Sequence, residues 1–302
     1  MTPVWRSLLY VPAHQEKHVG SARVREADAV ILDLEDAVPP ELKATARAAL
    51  GAAIKAVGRW GADVLVRVNA EAGLIEEDVR AAVRPGVCAL VLPKVESGDE
   101  IRRFDRLVQA AETEAGMAHG ATRLLVLVES AKGLLALPSI LEASARIIAV
   151  NLGNEDFARD LGVEPSEETL RLPRQQMVIA AAASGVAPLG LVGQATRFDD
   201  LDGYREVAVR SRRLGHVGAA CIHPSQIAVL NAVFAPSEAE VSEALAIVDA
   251  ARMAIVDAAR MAGVGAFALN GRMIDKPILS RAQALLERRR MIERKIEDRG
   301  NN

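Results

Sequence analysis

The sequence predicts an α/β fold, a (β/α)8 TIM barrel of parallel strands followed by a C-terminal helical lid. Three observations lead there. Eight brief, nearly unbroken apolar runs alternate with helical patterns as far as about residue 232. Aromatic residues are only 3% of a chain that is 50% hydrophobic, so the core must be built from Ala, Val, Leu and Ile. That composition suits parallel sheet covered by helices. Charged residues, finally, gather just after the apolar runs, where a barrel carries its chemistry.

The expected strands are 8–11, 29–34, 64–68, 89–92, 124–128, 147–150, 188–192 and 219–222. Each is apolar on both faces, as a strand buried between barrel interior and helices must be. Helical patterns fill 41–57, 99–115, 167–184 and 201–214. A doubly wound open sheet is the structural rival, but no strand is followed by a G-x-G-x-x-G turn. After Pro236 the pattern becomes helical alone. A helix over 237–262 opens with Ser237 and, three residues on, Glu240, a capping box. Gly263 and Gly265 break it, 267–271 reads as an extended piece ending in a turn, and 280–298 forms a last helix. The chain thus divides into a barrel, 1–235, and a helical lid or oligomerisation segment, 236–302. Within the long helix the octet 246–253 is followed at once by an identical octet, 254–261, a tandem duplication. It adds about 12 Å of helix and turns the apolar face by roughly 80°.

Lys and Arg total 37 against 40 Asp and Glu, a net charge of −3, which lacks the basic field of a nucleic-acid binder. The apolar stretch at 8–11 is too short for a signal segment or a membrane span, so a cytoplasmic protein is expected. Cys88 and Cys221 lie in apolar runs and read as buried, inert thiols; no zinc spacing is present. His14, His18, His119 and His216 show no ligand spacing and read as surface residues.

The strand ends carry the chemistry. Asp33, Glu35 and Asp36 follow the second strand, Arg67 and Asn69 the third, Lys94 and Glu96 the fourth, Glu129 the fifth, and Asn154, Glu155 and Asp156 the sixth. One charge after a strand commonly opens a solvated loop, whereas five successive charged ends point to a site. Glu129 and Asp156 end neighbouring strands with no His or Cys nearby, an oxygen-only donor pair suited to Mg²⁺. Spacing alone equally allows two unrelated rim acids. Arg67 has the geometry to grip a carboxylate or carbonyl, and equally to pair with Asp33 or Glu35; both roles can coexist. Residues 153–156 precede a short helix whose backbone N–H groups would accept an anion. Together these features suit an α-hydroxy or α-keto acid.

These residues also carry a resemblance. Arg6-Ser7-Leu8-Leu9-Tyr10-Val11-Pro12 and Ile31-Leu32-Asp33-Leu34-Glu35-Asp36-Ala37-Val38, with Lys43 and Ala46-Arg47, resemble the opening of the citrate lyase β-subunit-like CoA ester lyases, within the HpcH/HpaI aldolases. Arg67-Val68-Asn69, Leu92-Pro93-Lys94-Val95-Glu96, Val128-Glu129-Ser130 and Gly153-Asn154-Glu155-Asp156-Phe157 continue it in order. So do Cys221-Ile222-His223-Pro224-Ser225-Gln226 and the tail from Gly265 to Asp275. The resemblance implies a Mg²⁺-dependent lyase that splits malyl-CoA, β-methylmalyl-CoA or citramalyl-CoA into an acyl-CoA and a small 2-oxo acid, glyoxylate or pyruvate. It implies a homotrimer or larger assembly in which each lid crosses to a neighbour's site. By position, Glu129 and Asp156 would hold Mg²⁺, Arg67 would contact the acid and the thioester oxygen, and Asp275 would be the acid/base. Tyr10, Lys17, Ile222 and His223 match positions that contact CoA. Asn154 and Glu155 would flank the acid, with Asp33, Glu35, Asp36 and Lys94 behind.

The chain departs from the family pattern at three places. Ser21 stands where members carry a Lys that meets the CoA phosphates. Around strand seven Pro188-Leu189-Gly190-Leu191 replaces an Ile-Asp pair, which sets the chain in a different branch from the citramalyl-CoA lyases. The duplicated octet falls between barrel and Asp275. Rival readings are a citrate lyase β-subunit acting on a carrier-protein thioester, a thioesterase or synthase variant, and a non-catalytic barrel that binds a CoA ester.

Overall fold

The computed structural model describes residues 4–21, 26–193, 199–258, 267–269 and 272–300. The chain forms two compact units, residues 1–234 and 235–301. The first contains eight strands: β1 Ser7–Pro12, β2 Ala29–Asp33, β3 Asp63–Arg67, β4 Val87–Leu92, β5 Arg123–Val128, β6 Ile147–Leu152, β7 Ala187–Leu189 and β8 Ala219–Cys221. Paired neighbours are parallel, in the order β7-β6-β5-β4-β3-β2-β1-β8. The two end strands meet through a bridge between Leu189 and Gly218. Val217 N–H donates to Pro188 O at 3.0 Å and Gly190 N–H to Gly218 O at 2.9 Å. The expected (β/α)8 barrel is therefore observed, nearly closed. β7 stops at Leu189, short of the expected 192, because Gly190 turns away with φ +129°, a conformation side chains disfavour.

Alternation along each strand divides the core. On β2, Ala29 and Ile31 enter the barrel with Leu8, Leu65, Val91, Leu125 and Leu127, whereas Val30 and Leu32 join the layer under the helices. Trp5, just before β1, joins the interior set and donates Nε1–H to Asp63 Oδ2 at 2.6 Å. Each fully buried Leu or Ile contributes roughly 1.5–3 kcal/mol relative to exposure.

The covering helices are α1 Glu16–Val19, α2 Lys43–Gly58, α3 Leu74–Ala82, α4 Gly98–Glu114, α5 Ala131–Leu135, α6 Leu137–Leu141, α7 Asn154–Leu161, α8 Glu167–Ser184, α9 Leu201–Arg213 and α10 Ser225–Val233. α4 buries Ile101, Phe104, Val108 and Ala111 at helical spacing, and Ser97 Oγ caps it by accepting from Glu100 N–H. α2 begins after a separate tight turn, Pro40–Leu42, rather than at residue 41.

In the second unit, α11 Glu238–Ala258 and α12 Lys276–Gly300 accompany an antiparallel pair, β9 Phe267–Leu269 and β10 Arg272–Ile274. Ala244, Ile247, Ile274 and Ala282 form its core. The Ser237 and Glu240 capping box is present, with contacts of 2.8 and 3.3 Å. α12 starts four residues before the expected 280 because Asp275 Oδ1 accepts from Ile278 N–H at 3.1 Å. Pro277 needs no N–H partner in that first turn. α11 runs without a break from the first octet into 254–258; the breaks expected at Gly263 and Gly265 and the turn expected at Asn270-Gly271 lie outside the described residues. No helix among the described residues is long and apolar enough to cross a membrane.

Two expectations need correction. Cys221 is buried, which pushes its thiol up, but Cys88 is only partly buried. His216 is not on the surface: it is 2% exposed, because it precedes β8 beneath α8.

Candidate active site

The register of β2 and β3 sets Asp33 opposite Arg67. Asp33 accepts Arg67 Nε–H and Nη2–H, both at 2.7 Å, while also accepting the backbone N–H groups of Glu35 and Ala37. It thereby fixes the loop after β2 and the plane of the guanidinium together. Arg67 Nη1 reaches Glu35 Oε2 at 2.9 Å and Asp36 Oδ2 at 3.4 Å, and the guanidinium lies over the Tyr10 ring, 4.8 Å from its centroid. Burial opposes the charge of Arg67, yet the hydrogen bonds to Asp33 and the surrounding acids outweigh it and raise its pKa. Burial likewise raises the Tyr10 hydroxyl.

Lys94, after β4, has φ +56°, a left-handed conformation that costs about 1 kcal/mol or more in a non-glycine residue. The turn lets Lys94 serve two acids: its Nζ donates to Glu35 Oε1 at 2.6 Å and its N–H to Glu129 Oε2 at 3.1 Å. Glu129 follows β5 and is 8% exposed. Burial, then the charges of Glu35 and Asp156, push its carboxyl up to about 7 against the pull of Arg67 and Lys94. Its negative charge is thus under-compensated, the condition that a bound cation relieves.

Gly153 ends the turn after β6 and caps α7, whose first turn holds Asn154, Glu155 and Asp156. A Cβ at Gly153 would fall 2.7 Å from Glu129 Cγ, so only glycine lets this corner lie against Glu129. Asp156 Oδ1 pairs with Arg159 at 2.7 Å. Asn154 ties the corner to the chain after β7, donating Nδ2–H to Leu191 O and Gly193 O at 3.2 and 3.0 Å.

A cavity of about 500 Å³ opens at the C-terminal ends of the strands. Of the residues expected at the site, it brings together Tyr10, Asp33, Asp36, Arg67 and Glu129 from one side of the rim, and Asn154, Glu155, Asp156 and Ile222 from the other. Glu35 and Lys94 contact these residues without lining the cavity. Lys17 lies on the exposed face of α1, and His223 Nδ1 is 2.7 Å from Ser225 Oγ at the start of α10. Asp275 caps α12 in the second unit. Glu96 does not converge on the cavity as expected; Ser130 Oγ–H and Lys132 Nζ–H draw it aside at 2.7 and 2.8 Å. Asn69 is structural, held by Asp78 and Leu34 O.

Sequence reading missed Arg174, Asn151 and Gly190, which also line the cavity. Arg174 is 2% exposed, and burial pushes its guanidinium down to about 9. A signal existed: Leu170, Arg174, Met177 and Ala181 share the buried face of α8, so an arginine stands in an apolar stripe.

The donor set can be matched to a metal. No group of three or more His, Cys, Asp or Glu side chains placed to hold an ion occurs among the described residues. Two hard carboxylates, Glu129 and Asp156, that line the same open cavity fit Mg²⁺, which completes its shell with water and substrate oxygens.

A (β/α)8 barrel with acids, a clamped arginine and a helix start gathered at its C-terminal rim has the arrangement of a barrel enzyme. Residues 6–224 match the model of the HpcH/HpaI aldolase/citrate lyase family, and the chain belongs to that family. The resemblance drawn from the motifs is therefore borne out. The chain is 34% identical to a citrate lyase subunit beta from Haemophilus influenzae over 94% of its own length and 96% of the relative's. It is 32% identical to human mitochondrial citramalyl-CoA lyase, over 92% and 83%. Among solved structures, CitE from Mycobacterium tuberculosis in complex with magnesium, acetoacetate and coenzyme A superposes with a TM-score of 0.69 at 28% identity, covering 94% and 97%. A malate synthase from Haloferax volcanii, at 19% identity and TM-score 0.68 over 78% and 77%, shares the fold.

Proposed function

We propose that this protein is a Mg²⁺-dependent carbon–carbon lyase that cleaves, or forms, a short 3-hydroxyacyl-CoA such as malyl-CoA, β-methylmalyl-CoA or citramalyl-CoA. The products of cleavage are an acyl-CoA and glyoxylate or pyruvate. The observation that carries the reading is the buried Glu129, which lines one rim cavity with Asp156 and Arg67. The kinship with a citrate lyase subunit beta and a citramalyl-CoA lyase supports it.

Glu129 and Asp156 would hold the cation, whose charge would act on the oxygens of the acid fragment. The first N–H groups of α7 would hold that fragment's carboxylate. Cleavage breaks the bond between the acyl α-carbon and the hydroxyl-bearing carbon: the hydroxyl gives up its proton to solvent as it becomes the carbonyl of the 2-oxo acid, and the electron pair of the broken bond moves into the thioester. Arg67, held in orientation by Asp33 and Tyr10, would donate to the thioester oxygen as charge develops there. Asp275 would deliver a proton to the acyl α-carbon, or remove it in the forward condensation. Tyr10, Lys17, Ile222 and His223 would contact CoA, with Asn154 and Glu155 beside the acid. The assembly in this reading is a trimer or dimer of trimers, residues 1–235 being the catalytic domain and 236–302 the lid.

The test is direct. With Mg²⁺ and a panel of hydroxyacyl-CoA esters, the protein should release a 2-oxo acid, and EDTA or Asp156→Ala should abolish release. No 2-oxo acid from any ester overturns the reading. One observation favours a second reading: with Ser21 in place of a phosphate-binding lysine, a carrier-protein thioester is the alternative substrate. A carrier-dependent subunit would ignore free CoA esters and turn over only the carrier-bound form.

A further inference from the structure

The two arginines that line the rim cavity are partnered differently. Around Arg67 and Lys94 stand four acids, Asp33, Glu35, Asp36 and Glu129, so this side is net negative. Arg67 directs Nε, Nη1 and one Nη2–H at three of them, which leaves it a single Nη2–H. Across the cavity, between β6 and β7, Arg174 is the reverse case. Its Nε–H goes to Asn154 Oδ1 at 3.0 Å and its Nη2 to Leu152 O at 2.7 Å and again to Asn154. These acceptors are neutral, and among the described residues no carboxylate pairs with Arg174. Of the five guanidinium N–H groups, those on Nη1 make only one long contact, 3.4 Å to Asn151 Oδ1.

A buried guanidinium without a counter-ion is costly, and burial alone accounts for its lowered pKa. His216 reports the same imbalance: burial and the nearby Arg174 charge push it down to about 3, and neither ring nitrogen has a partner among the described residues. The chain leaves Nη1 open on one side. Gly190 lines the cavity, and a Cβ built there would lie 2.1 Å from Nη1 and 2.5 Å from Asn151 Oδ1. Any side chain at 190 would displace the guanidinium or screen it from the cavity.

We propose that Arg174, reached across Gly190, forms an anion subsite that takes the carboxylate of the ligand's acid fragment together with the first N–H groups of α7. The proposal rests on the reading of this cavity as the active site and names which end of the ligand faces β6 and β7. The difference in partnering orients the ligand: Arg67 is already ringed by acids, whereas Arg174 offers a carboxylate a guanidinium held only by neutral acceptors. A fragment with an amide or alcohol in that place leaves the guanidinium unpaired and is rejected.

The test uses the full chain, oxalate as probe and EDTA throughout, so that Arg174 and not a metal decides binding. Titration calorimetry should show saturable oxalate binding to the unaltered protein. Arg174→Gln should weaken it by about tenfold or more, the lower end for a hydrogen bond to a charged group. Mg²⁺ affinity, titrated separately without EDTA or oxalate, should be unchanged in that variant. Gly190→Ala keeps the arginine but displaces its guanidinium or screens it from the cavity, and should cost oxalate binding similarly; it decides the matter if Arg174→Gln does not fold. Absence of oxalate binding to the unaltered protein, or equal binding by the unaltered protein and either variant, overturns the subsite. Such a failure leaves 2-oxo acid release from hydroxyacyl-CoA esters, measured separately, untouched.

Discussion

Asp275 holds two demands in one carboxylate. It caps α12 through Oδ1, and the proposed mechanism asks it to exchange a proton. Asparagine caps a helix as well as aspartate but cannot carry the proton. Asp275→Asn should therefore keep the melting temperature and lose turnover, whereas Asp275→Ala should lose turnover and about 1 kcal/mol of stability as well. Thermal melts with a 2-oxo acid assay check both, and full turnover by the asparagine variant would remove Asp275 from the chemistry. At this scale much of the site was legible. Asp33, Arg67, Glu129 and Asp156 each follow or end an apolar run, and a barrel brings such positions to one rim. Glu96 shows the limit of that reasoning, since its direction is set by Ser130 and Lys132, 34 and 36 residues away. Arg174 stayed hidden because its approach is from a helix, through the gap between two strands.

Among the elements, α4 depends on a charged anchor. Arg146, at the foot of β6, donates Nη1–H and Nη2–H to Glu112, both at 2.8 Å, and Nε–H to Asp105 at 2.5 Å. Glu112 is fully buried and also accepts from Gly120 and Thr122 N–H at 2.9 and 2.7 Å. Burial alone would raise its pKa; these donors outweigh burial and hold it at about 2. A carboxyl depressed in the fold stabilises it fully above the unfolded pKa of about 4.5 and loses that contribution as pH falls towards 2. The contribution is on the order of 3 kcal/mol. Glu112→Gln should lower the melting temperature by about 10 °C at neutral pH and flatten its fall between pH 4.5 and 2. A melting curve of unchanged pH dependence would contradict this. Long amphipathic helices such as α4, α8 and α9 were readable from their periodicity, within a residue or so. The short ones, α3, α5, α6 and α10, were not, because fewer than three turns give period no room to declare itself.

For the molecule as a whole, strand order was legible because right-handed crossovers make consecutive strands neighbours. The division near residue 235 coincides with a change from alternating strands and helices to helices and one hairpin. If the second unit serves a neighbouring copy, the protein in solution has a mass that is a multiple of 32.2 kDa, three- or sixfold. Light scattering after gel filtration measures it, and a monomer with full turnover would refute a shared lid.

What sequence did not reveal was where the barrel is weakest. β7 and β8 are three residues each, and one bridge with two flanking backbone bonds joins them, while β2 and β3 share five paired positions. Local opening follows the sparsest ladder. In deuterated buffer the amides of Gly190 and Val217 should therefore exchange well before those of Leu65 and Val66. This seam also borders Arg174, so an acid seated there would slow exchange at Gly190 while leaving the far wall of the barrel as it was.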